Sequence, residues 1–260
     1  MNAKNKTNIV SKRVIDAVLT ALLLFLMAYQ VTGDVLHEWL GIAMTALLVV
    51  HHILNRKWYS ALFKGKYKPY RIVMTSVNTM LLVSITLTAL TGMAMSGHAV
   101  PFLYGFIGVM RARSLHLAMS YWSFILMGVH IGMHFGIITA KLPKGKIRII
   151  AGCILSVIAA YGFRLFLDAD VFDYMFFKSH FAFFDYNKAW WIVLLENALM
   201  LLSWAFMAYL LLLVLRSVSA KEKKNRKKIV MTVMFAAGIA LIAGAGTVLH
   251  FLIPAGNAGF

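Results

Sequence analysis

A single cysteine, Cys153, stands among the 260 residues. No disulfide can close within the chain, no thiolate cluster can form, and no Cys-x-x-Cys-His segment can tether a c-type haem. Charge is scarce too: 13% of residues are Asp, Glu, Lys or Arg against 61% hydrophobic. The apolar residues come in long blocks rather than at amphipathic spacing, which excludes an ordinary soluble domain. Acidic residues are scarcest, 9 against 26 Lys and Arg. There is no Gly-x-Gly-x-x-Gly element, no room for a nicotinamide or flavin domain, and no internal repeat or low-complexity run.

What is present is membrane-spanning material. Crossing a hydrocarbon core takes roughly 20 mostly apolar residues. Seven stretches qualify, at about 14–33, 35–55, 71–95, 114–139, 147–167, 190–215 and 229–252. The expected fold is an all-α integral membrane helical bundle of about seven transmembrane helices. The first stretch is long and ends in Val31-Thr32-Gly33 without a small-x-small cleavage pattern, so it reads as a retained helix rather than a signal peptide. Turn signals agree with the spans: Thr32-Gly33-Asp34 separates the first two, Lys68-Pro69 opens the third, and Leu142-Pro143-Lys144-Gly145 separates the fourth and fifth.

The formal charge of +17 would suggest nucleic acid if it formed one face, but the basic residues sit in short clusters between apolar blocks. They read as a topology signal instead. The clusters run from Lys4 to Arg13, from Arg56 to Arg71, from Lys141 to Arg148 and from Arg216 to Lys228, and together they hold 21 of the 26 Lys and Arg. The positive-inside rule makes that side cytoplasmic. The N-terminus is expected inside and, after an odd number of spans, the C-terminus extracytoplasmic, in a multi-pass protein of the cell membrane. The cluster Lys221 to Lys228 reads as a solvated, lipid-facing topology signal.

Two connections on the outer side are longer than the rest. Ser96 to Ser114 carries Gly97, Pro101, Gly105 and Gly108 and ends in Arg111-Ala112-Arg113. The other, about Asp168 to Ala189, interleaves Phe and Tyr with Asp. It suits an interfacial segment with its rings at headgroup depth, and equally a docking or quinone-binding segment.

Ionisable side chains inside a bilayer are costly, so their presence points to function. His37 and His51 lie 14 positions apart near the two ends of the second span, and His116 and His130 repeat that spacing in the fourth. Fourteen helical steps bring the second side chain to within about 40° of the first and about 21 Å along the axis. Each helix therefore presents two imidazoles on one face at two depths. By the charge argument both helices start outside and end inside, so equal depths can face each other. His37 and His116 form an expected outer pair and His51 and His130 an inner pair, each ligating one haem iron axially with the macrocycle between helices. That makes two haem b groups.

Gly41, one turn after His37, and Gly128 and Gly132, around His130, remove side-chain bulk where a porphyrin would approach, although glycine is also frequent in ordinary membrane helices. Arg111 and Arg113 stand just before His116, where they suit haem propionates and interfacial anchoring equally. His52 and His134 are competing inner ligands, and His134 suits a propionate or a quinone as well. His98, His180 and His250 fall at or near the outer surface, where solvated histidine is ordinary.

The stretches His37-Glu38-Trp39-Leu40-Gly41 with His51-His52-Ile53-Leu54-Asn55-Arg56-Lys57-Trp58, and Arg113-Ser114-Leu115-His116 with His130-Ile131-Gly132-Met133-His134, resemble the flavinylation-associated cytochrome family of bacterial membrane proteins. The resemblance covers residues 10–140, four helices forming a di-haem cytochrome b-like core. Residues 141–260, three further helices with the acidic, aromatic outer loop, match no motif of it. Cytochrome b subunits of dehydrogenases and hydrogenases share the paired-histidine logic. The resemblance implies a haem conduit in the bacterial inner membrane, carrying electrons from quinol or another membrane or cytoplasmic donor to an extracytoplasmic flavin-bearing (FMN) protein.

Two other classes compete. A membrane di-iron desaturase or hydroxylase is suggested by His51-His52 and His130-x-x-x-His134, but it would need more clustered histidines and leaves the outer pair unexplained. In a transporter or assembly subunit, Asp16, Glu38 and Glu196 would matter more than the histidines.

Overall fold

The computed structural model describes residues 3–219, apart from 66, 68, 140–142 and 144. The expected seventh span, the cluster Lys221 to Lys228, His250 and the C-terminus lie outside the described residues, as do Lys66, Lys68, Lys141 and Lys144.

Every regular element among the described residues is helical: α1 (Ala3–Met27), α2 (Tyr29–Leu54), α3 (Lys57–Ala61), α4 (Pro69–Met95), α5 (Val109–Thr139), α6 (Lys146–Asp168), α7 (Val171–Met175) and α8 (Trp190–Ser219), with one 3-10 turn at Pro101–Leu103. Among them α2, α4, α5, α6 and α8 are long and apolar enough to cross a membrane, which makes the chain a multi-pass membrane protein. The first expected span is helical as α1 but falls outside that set. Lys12, Arg13 and Asp16 share its length with the apolar run, and charge within a span is what the hydrocarbon tolerates least.

The surfaces of these helices suit lipid. On α6 the exposed residues Ile147, Ile150, Ile154, Val157 and Tyr161 recur at steps of three and four, while Ala159, Gly162 and Phe166 on another face are buried. Each large apolar side chain left in water would forgo about 1.5–3 kcal/mol of burial. Against acyl chains that penalty disappears.

Boundaries follow local chemistry. Gly33 adopts φ 61° and ψ −178°, a left-handed break inside α2 that glycine takes without a Cβ clash. Residues 29–32 thus form a short turn, and the helix proper starts at the expected place. The fourth expected span opens earlier, at Val109. Residues 109–113, placed before that span from sequence, are helical, among them Arg111 and Arg113.

Contacts group the described residues into two compact units. The first comprises residues up to 67, 78–126 and 172–198; the second comprises 69–77, 127–171 and 199–219. In the first, α1 and α2 run antiparallel: Lys12 Nζ donates to Asn55 Oδ1 at 3.0 Å, and Asp16 meets His51 one turn along. A buried polar seam joins α4 and α5. Ser123 Oγ donates to Ser84 Oγ at 3.1 Å and lies 3.4 Å from Thr88 Oγ1. Such bonds hold helices together where apolar contact gives no preference over lipid.

In the second unit, small residues bring helices close. A Cβ on Gly128 would stand 2.8 Å from Trp204 Cβ and 3.0 Å from the Leu201 carbonyl oxygen, and one on Gly132 would overlap the Ala205 backbone. Gly162 of α6 meets the Leu199 backbone in the same way. The expectation that Gly128 and Gly132 make room for a porphyrin is therefore corrected: α8 fills that space, and these glycines serve helix–helix approach.

Candidate functional site

His37 and His116 meet near the N-terminal ends of α2 and α5. Their ring centres lie 6.1 Å apart with the planes at 73°. Both rings are partly buried.

The His116 ring is fixed by α4. Its Nδ1–H donates to the backbone carbonyl of Thr88 at 2.9 Å, with Thr91 Oγ1 at 3.4 Å. A carbonyl can only accept, so the proton sits on Nδ1 and the Nε2 lone pair is available to a metal. Gly92 allows this approach, because a Cβ there would stand 3.1 Å from His116 Cε1. His37 differs. Its Nδ1 is buried with no hydrogen-bond partner, and its ring packs edge-on against Tyr29 with centres 5.1 Å apart.

Glu38, next to His37, is clamped by the loop that follows α4. Its carboxylate accepts from Ser96 Oγ at 2.8 Å and from the backbone N–H groups of Gly97, His98 and Ala99 at 3.1, 2.8 and 2.9 Å. Three successive amides around one carboxylate make a backbone anion nest. It fastens the start of α2 to the end of α4, and so holds His37 beside a ring that α4 orients.

The aromatic loop closes over the same end. Phe184 stacks on Tyr29 at 5.4 Å, Tyr29 Oη donates to Asp34 Oδ1, and Gln30 Nε2 donates to the Asp185 carbonyl at 3.2 Å. Ser114 Oγ and His180 Nδ1 are 2.9 Å apart, and the Arg113 guanidinium lies 5.4 Å over the Phe181 ring. Tyr174 of α7 stacks on Tyr121 at 5.3 Å. The loop is thus attached to α2 and α5, while Phe183 at its far edge is 83% exposed. Arg113 is committed to the loop through its cation–π contact, and Arg111 is exposed.

At the other end of α2, His51 Nδ1–H donates to Asp16 Oδ1 at 2.9 Å. This sets the tautomer with its lone pair on Nε2. The Asn55 amide nitrogen stands 3.4 Å from Nε2, but its shorter bond, 2.9 Å, goes to the His51 carbonyl. His52 Nδ1 is 2.9 Å from Tyr59 Oη. In the second unit the His130 and His134 rings lie 5.1 Å apart at 63°. His51 belongs to the first unit and His130 to the second.

Comparison with protein-family models, with curated proteins and with solved structures found no match. The chemistry of the residues is accordingly the ground for a functional reading.

The separation of the outer pair can be set against that of two imidazoles on one metal ion. Metal–imidazole bonds of about 2.0 Å, with roughly 1.1 Å from nitrogen to ring centre, set two such rings about 6.2 Å apart. The observed 6.1 Å meets that requirement. Gly41 faces open space, where a Cβ would meet no atom within 4 Å. Among the described residues no three His, Cys, Asp or Glu side chains converge as a metal site; a haem asks the protein for two.

Residues that sequence reasoning left out of the site now stand in it. The Thr88 carbonyl, Gly92 and Tyr29 carry no motif. Asp16 and Glu196 figured only as transporter acids, and Glu38 as one of them and as a member of the stretch after His37. Each is engaged: Asp16 by His51, Glu38 by the loop amides, and Glu196 by Lys188 Nζ, 2.9 Å from both carboxylate oxygens.

Proposed function

We propose that this chain is a transmembrane electron conduit of the bacterial inner membrane holding two b-type haems, one for which His37 and His116 are the ligands near the outer face, and a second near the inner face for which sequence spacing nominates His51 and His130. The basic clusters favour a cytoplasmic N-terminus. The observation that carries the reading is the approach of His37 and His116 with the tautomer of His116 set by Thr88.

Each bound haem supplies reversible one-electron chemistry. The residues do the rest. His37 and His116 would hold such a group through two imidazoles, and a haem so held would supply electron transfer rather than oxygen binding. Thr88 and Asp16 orient His116 and His51 through their second ring nitrogens. Gly41 leaves a macrocycle room against α2, and Arg111 suits a propionate at the outer surface, while Arg113 is held over Phe181. Electrons enter from quinol or another membrane or cytoplasmic donor and leave to an extracytoplasmic flavin-bearing protein that meets the outer face beside the aromatic loop.

Single-histidine variants test the assignment. His37→Ala and His116→Ala are each expected to lower haem content from two to one per chain and to spare the same remaining haem, measured by pyridine haemochrome against protein concentration. Unchanged content in both variants would remove the outer pair from the account.

A further inference from the structure

The second unit brings helix ends together at one place. Arg216, the last residue of the apolar span in α8, donates from Nη2 to the hydroxyl of Tyr70, the first residue of the span in α4, at 2.6 Å. Its guanidinium also lies 4.6 Å over the Tyr70 ring. A Cβ on Gly136 of α5 would stand 3.3 Å from Arg216 Nη1, and Tyr209 Oη of α8 donates to Thr139 Oγ1, at the end of α5, at 3.1 Å. Residues 140–145 connect α5 to α6. Arg71, Lys146 and Arg148 therefore stand at the same end of this unit as Arg216.

No carboxylate accompanies these cations among the described residues. The acids of this unit there are Asp168 and Asp170, at the far end of α6, about 30 Å along that helix from Arg148. At that end Asp168 already pairs with Arg164. Arg216, by contrast, has a neutral hydroxyl as its hydrogen-bond partner among the described residues. The sequence that follows, 217–228, adds six Lys and Arg against Glu222 alone. Balance of charge at this end is left to anions from outside the chain.

We propose that this end of the second unit binds an anionic phospholipid, with Arg216 as the anchor of its phosphate and Tyr70 as the positioning residue that holds the guanidinium ready. The inference is independent of the function proposed above. Both residues end apolar spans, so they stand at the depth of lipid headgroups. Ile72, next along α4, is exposed and offers apolar surface to an acyl chain.

A guanidinium carries its N–H donors in a flat fork that matches two oxygens of a phosphodiester. Tyr70 takes one donor and fixes the plane of the fork, so part of the ordering cost of a long side chain is met before any lipid arrives. The donors left over form charge-assisted bonds to phosphate. Arg71, Lys146 and Arg148 add attraction of a less specific kind, about fivefold in affinity for each cation beside an anionic surface. Contact with Tyr70 is what sets Arg216 apart from them.

The test titrates delipidated full-length protein in detergent with dioleoyl phosphatidylglycerol or dioleoyl phosphatidylcholine and reads the lipid-bound fraction by native mass spectrometry. Wild type is expected to prefer phosphatidylglycerol. Arg216→Gln should weaken phosphatidylglycerol binding by more than about tenfold, the loss of a hydrogen-bonded charge. Tyr70→Phe keeps the ring and drops the hydroxyl, and should weaken it about two- to tenfold. Lys64→Gln, an equal loss of charge at an exposed position of the first unit, should change it by no more than about fivefold. Equal losses in Arg216→Gln and Lys64→Gln would reduce the site to general surface charge and overturn the proposal, as would a wild type that does not distinguish the two lipids. Excess inorganic phosphate should leave the lipid in place; displacement would make this a site for free anions and overturn the lipid assignment. If Arg216→Gln gives no folded protein, Tyr70→Phe decides, and unchanged phosphatidylglycerol binding in that variant sinks the proposal.

Discussion

At the scale of single residues, the histidines were legible because their spacing repeats, and the groups that make them useful were not. His37 and His116 stand out as costly side chains in apolar helices. The acceptor that fixes His116 is a backbone carbonyl, identical at every position of a sequence, and only the packing of α4 selects the one at Thr88. Glu38 shows the same limit from the other side. It reads as a charge near a span, yet its role comes from three amides that the chain folds around it about 60 residues later. Glu38→Gln should therefore loosen the start of α2. Hydrogen bonds to charged groups contribute about 1.5–3 kcal/mol, and because this clamp is partly exposed we expect a loss of about 2 kcal/mol, measured by thermal or denaturant unfolding in detergent. A variant as stable as wild type would show that the nest does not hold the helix.

At the scale of elements, most helices could be placed from apolar runs and turn residues, including the break at Gly33 and the spans that became α4, α6 and α8. Small elements escaped. The turns α3 and α7 are five residues each, too short to carry a periodic signal. α5 also started earlier than expected. Glycines were the harder problem, since a glycine in an apolar helix looks the same whether it faces a macrocycle or another helix. Gly132 faces the Ala205 backbone, whereas Gly41 faces open space. The two should respond oppositely. Gly132→Ala must force α5 from α8 and should cost about 1–3 kcal/mol, as overpacking of a tight contact does. In the haem-free protein Gly41→Ala should be neutral or stabilising by up to about 1 kcal/mol, because its Cβ would meet no protein atom within 4 Å and alanine is the better helix former. Paired unfolding curves decide it, and equal effects at both sites would contradict the packing described.

At the scale of the whole molecule, the membrane assignment rests on five described helices of sufficient length and apolarity and on the stripe of exposed residues along α6. Orientation rests on charge alone, which is why it could be read from sequence and why it needs its own test. A cysteine introduced at Phe183, at the exposed edge of the aromatic loop, into a Cys153→Ser background should react with an impermeant maleimide in intact cells. One introduced at Lys64, in the basic connection after α2, should react only once the cells are opened. The reverse pattern would invert the topology and with it the outer and inner haems. The aromatic loop itself could not be assigned from composition, because Phe and Tyr suit an interface as well as a contact. Its stacking on Tyr29 and its bond to Ser114 come from distant parts of the chain.

The central claim is that this protein grips haem iron between histidines, and haem content tests it most directly. Protein purified from cells with ample porphyrin supply should carry two b-type haems per chain, with the spectrum of six-coordinate, low-spin iron in both oxidation states. A well-folded preparation that is colourless, or that carries only non-haem iron, would contradict the account.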